Sequence, residues 1–317
     1  MKTFIIFFIF LLFISFSCTK EVPYPNVNSK KYPVISAFIN QNGIKAKAIW
    51  SNSVNEKFTT LPIENAIIKL FENDNLIGEL QHNSNGTYTY SGFTPTEGAE
   101  YNITINIPEQ EELSAKTIMP YKVIPNENYM ISQNYNGRSS VFQIFKDPEE
   151  QTNYYLSTIR TKLFKDKSTI EKSIEIYGYE AGESNIFIYI NDNNLGCLFN
   201  DNLFNGRTYY YKATINDYDY RYFYENYQWE TENIFSDSAY IIPHLRSINY
   251  DMYKYYYDSY LQNLYAEDPF SNNYPVHSNI TNGYGIFGAY YDYAEDTLKY
   301  IRKETNHEIL HKQLLQN

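Results

Sequence analysis

At 317 residues the chain exceeds one average domain, and a hydrophobic share of 43% with 18% aromatics is enough to build one or two cores, which argues against bulk disorder. The formal net charge is −11, and no basic run is longer than Lys30-Lys31. Nucleic acid and anionic membrane surfaces are therefore poor partners for the polypeptide itself.

The first residues read as an export signal. Lys2 gives a short positive region, and Phe4 to Phe16 is an apolar run of signal-peptide length, too short to span a bilayer as a stable helix. Ser17-Cys18 follows, so residues 1–17 are expected to be removed and Cys18 to carry the lipid that anchors the chain. The Phe16-Ser17-Cys18 step resembles the lipobox of Bacteroidetes lipoproteins, with Ser15 standing where Leu is usual, and Lys20-Glu21 resembles part of the signal that sends such proteins to the outer leaflet. Residues 18–31, with Pro23 and Pro25, read as a tether. Cys197 is then the only thiol left, which excludes an intramolecular disulfide and a CxxC redox centre.

From Tyr32 the pattern is β. PVISAFIN, KAKAIWS, NAIIKLFEND, NLIGELQ, GTYTYSGF and EYNITINI are short runs separated by turn residues such as Asn73-Asp74-Asn75, Asn85-Gly86 and Glu97-Gly98. This spacing predicts a small Ig-like sandwich over 32–120, with Tyr101 placed like a tyrosine corner. Pro120 and Pro125 bracket a boundary. A second, fibronectin-like sandwich is expected over 121–300, opening with VFQIFKDP and NYYLSTI and continuing through IEIYGYE, NIFIYI and RTYYYKATI. Ile248 to Leu264 breaks the β rhythm: Met252, Tyr255, Tyr256, Tyr260 and Leu264 recur at helical spacing, which predicts one amphipathic helix packed on the second sandwich. The stretch from Thr297 to Gln316 reads as a second, exposed helix, which makes the C-terminal tail 301–317 helical.

Catalytic chemistry is sparse. His307-Glu308-Ile309-Leu310-His311 matches HExxH, which on a helix places two imidazoles for zinc and a carboxylate for base chemistry. No His, Asp or Glu follows His311 to complete the ligand set, so the reading there is a polar terminal helix and no metal or cofactor is expected. Asn191 to Asn202 fails the calcium-loop register and reads as an Asn/Asp-rich hairpin loop. No phosphate loop, nucleophile elbow or Cys/His pair is present, so the chain reads as a non-enzyme. The 35 tyrosines are distinctive. Tyr218, Tyr220, Tyr222, Tyr224 and Trp229 form a candidate partner or ligand surface, with Tyr209-Tyr210-Tyr211 another cluster, against the plain alternative that Tyr is a good strand former.

Near the C-terminus, NITNGYGIFGAY (Asn279 to Tyr290) alternates glycines with apolar and aromatic residues. It reads as a closing strand of the second sandwich, with Asn282-Gly283 as a turn and Gly285 and Gly288 where backbones approach closely; Tyr284 and Tyr290 are its candidate partner-facing residues. Together with the lipobox, GTYTY, GAEYNITI, VFQIFKDP and SINYDMYKYYYDSY, the segment DPFSNNYPVHSNITNGYGIFGAY resembles the Bacteroidetes lipoproteins of the domain of unknown function 4249 family. The motif residues are Asp268, Pro269, Phe270, Ser278, Asn279, Asn282, Gly283, Gly285, Phe287 and Gly288, and the likeness runs from the signal to about Tyr291. The resemblance implies an outer-membrane lipoprotein, on the periplasmic or cell-surface face, that is accessory to TonB-dependent nutrient uptake and partners such a transporter. A structural or adhesion lipoprotein with Ig-like spacers is the alternative. Ser238 and Thr297, in Asp-Ser-Ala and Asp-Thr-Leu, resemble O-glycosylation acceptors of that phylum.

Overall fold

The computed structural model describes residues 30–52, 59–133, 138–149, 151–165, 168–173, 176–180, 186–191, 194–216, 238–265, 274–294 and 298–301. The first half contains β1 (Pro33–Asn40), β2 (Gly43–Trp50), β3 (Leu61–Pro62), β4 (Ile67–Glu72), β5 (Asn75–Glu79), β6 (Gln81–Ser84), β7 (Thr87–Tyr90), β8 (Glu100–Asn106) and β9 (Leu113–Ile118). Then come β10 (Pro125–Gln133), β11 (Arg138–Lys146), β12 (Tyr154–Lys165), β13 (Ser168–Ser173), β14 (Ile176–Glu180), β15 (Ile186–Asn191), β16 (Asn194–Asn200), β17 (Thr208–Asn216) and β18 (Ser238–Ile248). Helix α1 (Tyr250–Tyr265), β19 (Tyr284–Tyr293) and β20 (Leu298–Ile301) complete the described elements.

The fold is mainly β and sandwich-like, as the strand rhythm predicts. Sheet β5-β4-β8-β9 faces β1-β2-β7-β6, and sheet β10-β11-β17-β14 faces β15-β16-β12-β18. In β1, β8 and β9 a period-2 pattern sends one row inward. In β1 the buried row is Ile35, Ala37 and Ile39; in β8 it is Tyr101, Ile103 and Ile105. The first core joins these with Ala46, Ala48, Ile68, Leu70 and Leu113. The second gathers Val141, Phe145, Tyr155, Ile159, Cys197, Phe199, Tyr211 and Leu245.

Two tyrosines lock the strand ends. Tyr101 accepts a hydrogen bond from the Thr96 amide at 2.8 Å and donates to Glu72, the corner contact its position after the Gly98 turn predicts. In the second sandwich, Tyr155 donates to the buried carboxylate of Asp147, which also accepts from the Gly206 amide at 2.8 Å. The Asn153 amide donates to buried Asp201 at 2.7 Å. The Asp-Pro and Asn-Tyr-Tyr segments thus meet as a hydrogen-bonded corner, and burial raises the Asp147 carboxyl above its ordinary value.

Four expectations change. NITNGYGIFGAY forms β19, but its inward side chains Phe287, Ala289 and Tyr291 belong to the first core, not the second. Residues 284–289 pair in parallel with β1 and residues 290–293 pair antiparallel with β18, so one continuous sheet runs β15-β16-β12-β18-β19-β1-β2-β7-β6 through both sandwiches. Most of Asn191 to Asn202 is strand rather than loop, because Cys197 and Leu198 in β16 are fully buried and pair with β12. Within the helix expected from Thr297, Leu298–Ile301 form β20 instead, which pairs with Ser238–Ile241, the part of β18 that β19 leaves open; Thr297 and residues 302–317 lie outside the described residues. Helix α1 forms as predicted and seats Met252 and Tyr256 on the continuous sheet, but Leu264 is exposed.

Two glycines decide how β19 packs. At Gly285 (φ 116°) a Cβ would lie 1.9 Å from the Ile35 carbonyl oxygen; at Gly288 it would meet Phe38 and Met252 at 3.2 and 3.3 Å. Gly285→Ala is expected to lose about 3 kcal/mol or more in urea unfolding, through left-handed strain and backbone collision. Gly288→Ala is expected to lose about 1–2 kcal/mol, since side chains can shift. Equal losses would contradict this account.

Candidate functional site

Above the turn into β19, the side chains of the Ser-Asn-Ile-Thr-Asn-Gly segment hold the backbone. Asn279 Oδ1 accepts from the Phe287 amide at 2.8 Å, and its Nδ2 donates to the carbonyls of Phe287 and Lys116 at 2.9 and 3.0 Å. Asn282 takes the left-handed conformation (φ 60°) and donates to the Glu112 carbonyl at 2.9 Å. Thr281 bridges Ser114, and Gly283 sits against Leu113, where a Cβ would approach the Leu113 side chain to 2.6 Å. Ser278 makes a long local contact to the Ile280 amide at 3.4 Å. Ser278, Asn279, Asn282, Gly283, Gly285, Phe287 and Gly288 are therefore architectural. They fix a C-terminal strand against β1 and β9.

Asn249 performs the matching task for the helix. Its Oδ1 accepts from the Met252 amide, which makes it the N-cap of α1, and from the Ala289 amide, both at 3.2 Å; its Nδ2 reaches Thr117 Oγ1 at 2.7 Å. One buried amide thereby ties α1, β19 and β9 together. The sequence signal was an Asn followed two residues later by Asp251, an acidic first-turn residue.

On the outer face of the continuous sheet, α1 covers β19 and stops short of β2. The face left open is read directly from register: Ser36, Phe38 and Asn40 of β1 lie opposite Lys47, Lys45 and Gly43 of β2, and Lys45 lies opposite Thr89 of β7. With Tyr290 as the wall beside the helix, these residues line a groove of about 570 Å³. Tyr290 is half-buried rather than a free platform: its hydroxyl accepts from Asn40 Nδ2 at 2.8 Å, and the Arg246 guanidinium lies 5.2 Å from its ring centroid. Lys47 donates to the Asn85 carbonyl, while Lys45 has no partner among the described residues. Alternation in KAKAIW places both lysines on one face; only the fold shows that the face borders Tyr290.

Behind Tyr290 lies a charged cluster. Asp292 receives Arg246 Nη2 and His244 Nδ1, each at 3.1 Å, and its backbone is clasped by Gln41. Burial alone would push the Asp292 carboxyl up, but the His244 hydrogen bond and the Arg246 charge outweigh it and hold it at about 2.

Tyr284 is 54% exposed and meets Tyr32 edge-on at 5.6 Å. In Tyr209-Tyr210-Tyr211 the alternation buries Tyr211, packs the half-buried Tyr209 against the same core and exposes Tyr210 at 63%, so two of the three serve the core. Cys197 is buried, and burial raises its thiol. Cys18, Tyr218, Tyr220, Tyr222, Tyr224, Trp229, Asp268, Pro269, Phe270, Thr297, His307, Glu308 and His311 lie outside the described residues, as does the side chain of Ser238. Among the described residues no cluster of three His, Cys, Asp or Glu is placed to hold a metal, and no helix is long and apolar enough to cross a membrane.

Because Asp292 titrates below its ordinary 3.8, its pairing stabilises the fold above about pH 4 and the gain fades as pH falls toward 2. Asp292→Asn is expected to unfold at least about 2 kcal/mol more easily at pH 7, with the difference from the parent narrowing below pH 4 in denaturant titrations. A pH-independent difference would contradict the ion-pair account.

No curated protein matches the chain. One solved structure, described as the complete structure of manganese lipoxygenase of Gaeumannomyces graminis and partial structure of zonadhesin of Komagataella pastoris, aligns over 86% of this chain and 97% of its own, at 8% identity and a TM-score of 0.18. A likeness that low carries no argument about fold or function. The profile described as "Domain of unknown function (DUF4249)" matches residues 19–295, covering both sandwiches, α1 and β19, and on that match the chain belongs to the domain of unknown function 4249 family.

Proposed function

We propose that the protein is a non-enzymatic binding module anchored to the outer membrane by a lipid on Cys18, accessory to TonB-dependent nutrient uptake. The observation that carries this reading is the order of parts in the chain: a short apolar leader, a cysteine at its end, a Pro-containing tether, and then a mainly β body. The groove beside Tyr290 supports a binding role over catalysis, since its lining offers lysines, hydroxyls and the amides of Asn40 and Asn42, with no carboxylate or imidazole to act as acid or base. The continuous sheet through both sandwiches favours one further reading, a stiff spacer in an adhesion lipoprotein, because a shared strand resists bending between the two halves.

Cys18→Ala is expected to move the protein from the membrane fraction to the soluble fraction and to abolish labelling by a radioactive fatty acid. Retention in the membrane without label would overturn the anchor. Affinity purification from membranes in mild detergent is expected to recover a TonB-dependent transporter in near-stoichiometric amount. Its consistent absence, with unchanged uptake and altered surface attachment on deletion, would replace the transport reading with the spacer reading.

A further inference from the structure

The chemistry of the groove selects among ligands. The chain as a whole carries −11, yet both charged residues lining the groove are lysines, Lys45 and Lys47. They stand two residues apart on one face of β2, so their stems emerge about 7 Å apart along the strand. The neighbouring hydroxyls are also placed to donate. Tyr290 Oη accepts from Asn40 and Thr89 Oγ1 accepts from Asn83 at 3.0 Å, which leaves each hydroxyl proton free to point elsewhere. Asn40 Oδ1 is already taken by the Asn42 amide at 2.9 Å. Phe38 and Tyr290 add ring surface at the helix-side wall, where the Arg246 guanidinium behind Tyr290 fixes the ring. The groove therefore offers donors and cations beside an apolar wall.

Such a lining suits a ligand rich in acceptors, carrying repeated negative charge and possessing an apolar face. A sugar acid has all three: carboxylates for the lysines, ring and hydroxyl oxygens for the donors, and C–H faces for the aromatic rings. An acidic peptide fits less well. An extended peptide brings backbone N–H groups that need acceptors, and β2 has neither edge free to supply them, since β1 occupies one and β7 the other.

We propose that the groove formed by Ser36, Phe38, Lys45, Lys47, Thr89 and Tyr290 binds an acidic saccharide, with Lys45 and Lys47 pairing successive uronate carboxylates. The proposal rests on the binding-module reading but is tested apart from it: titration of a soluble saccharide does not depend on a transporter, and transporter recovery does not depend on this ligand.

The experiment is calorimetric titration of the full-length protein in detergent with a trimer of galacturonic acid, its methyl ester, inorganic phosphate and an alternating Asp peptide. The acid trimer is expected to bind at least tenfold more tightly than the ester, with phosphate and peptide failing to displace it. Lys45→Ala/Lys47→Ala is expected to weaken binding at least tenfold with only a small drop in thermal unfolding temperature, since Lys45 is exposed and Lys47 gives up one surface hydrogen bond to the Asn85 carbonyl, and Tyr290→Phe to weaken it about threefold. No binding of the trimer, equal binding of acid and ester, displacement by phosphate or peptide, or full affinity in a folded double-lysine variant would each overturn the assignment.

Discussion

The constraint on which the structure depends is the double pairing of β19. One strand near the C-terminus runs parallel to β1 for its first half and antiparallel to β18 for its second. Parallel pairing requires the chain to return from a distance, and here the return spans both sandwiches. The close approach at Gly285 is possible only without a side chain, because the Ile35 carbonyl occupies the space a Cβ would need. Once seated, the strand contributes Phe287, Ala289 and Tyr291 to the first core, and Tyr291 donates to the Pro95 carbonyl at 2.9 Å across 196 residues of sequence. Burying a ring such as Phe287 contributes on the order of 2–3 kcal/mol, which offsets the entropy of ordering about one or two of the strand's residues.

The other fixed features follow from that strand. Asn279 holds its turn, Asn249 caps the helix against it, and Gly288 lets α1 lie close enough for Met252 to meet Phe38. Because α1 covers β19 but not β2, the sheet face divides into a helix-covered half and an open half. The groove lies at that border. Its aromatic wall is therefore rigid: Tyr290 is held by Asn40 at its hydroxyl, by Arg246 at its ring, and by Asp292 through Arg246. A binding face built on strands and braced by a buried ion pair loses little entropy when a ligand seats.

Much of this was legible in the residues. Alternation in PVISAFIN and EYNITINI assigns strands and even the buried row, since a period of two admits only one inward face. The helix was visible in the three-and-four spacing of Met252, Tyr256 and Tyr260, and the corner role of Tyr101 in its place after Gly98. Less legible was Leu264, which continues the apolar spacing past the end of the sheet it would need to cover. Asn191 to Asn202 misled through composition: turn-forming residues flank a run, Gly196 to Phe199, that is buried where it pairs with β12, well back in the sequence.

By itself the sequence determined the mainly β character, the single described helix, the family, and the glycines and asparagines that had to mark a close backbone approach. These are local properties, set by side-chain period, turn chemistry and backbone freedom. Only the tertiary structure decided that NITNGYGIFGAY serves the first sandwich as well as the second, that Asp292 holds Arg246 behind Tyr290, and that two lysines of β2 share a groove with a tyrosine about 245 residues later. The physical reason is that a strand's pattern fixes which face turns inward but leaves unspecified which neighbour accepts its backbone hydrogen bonds.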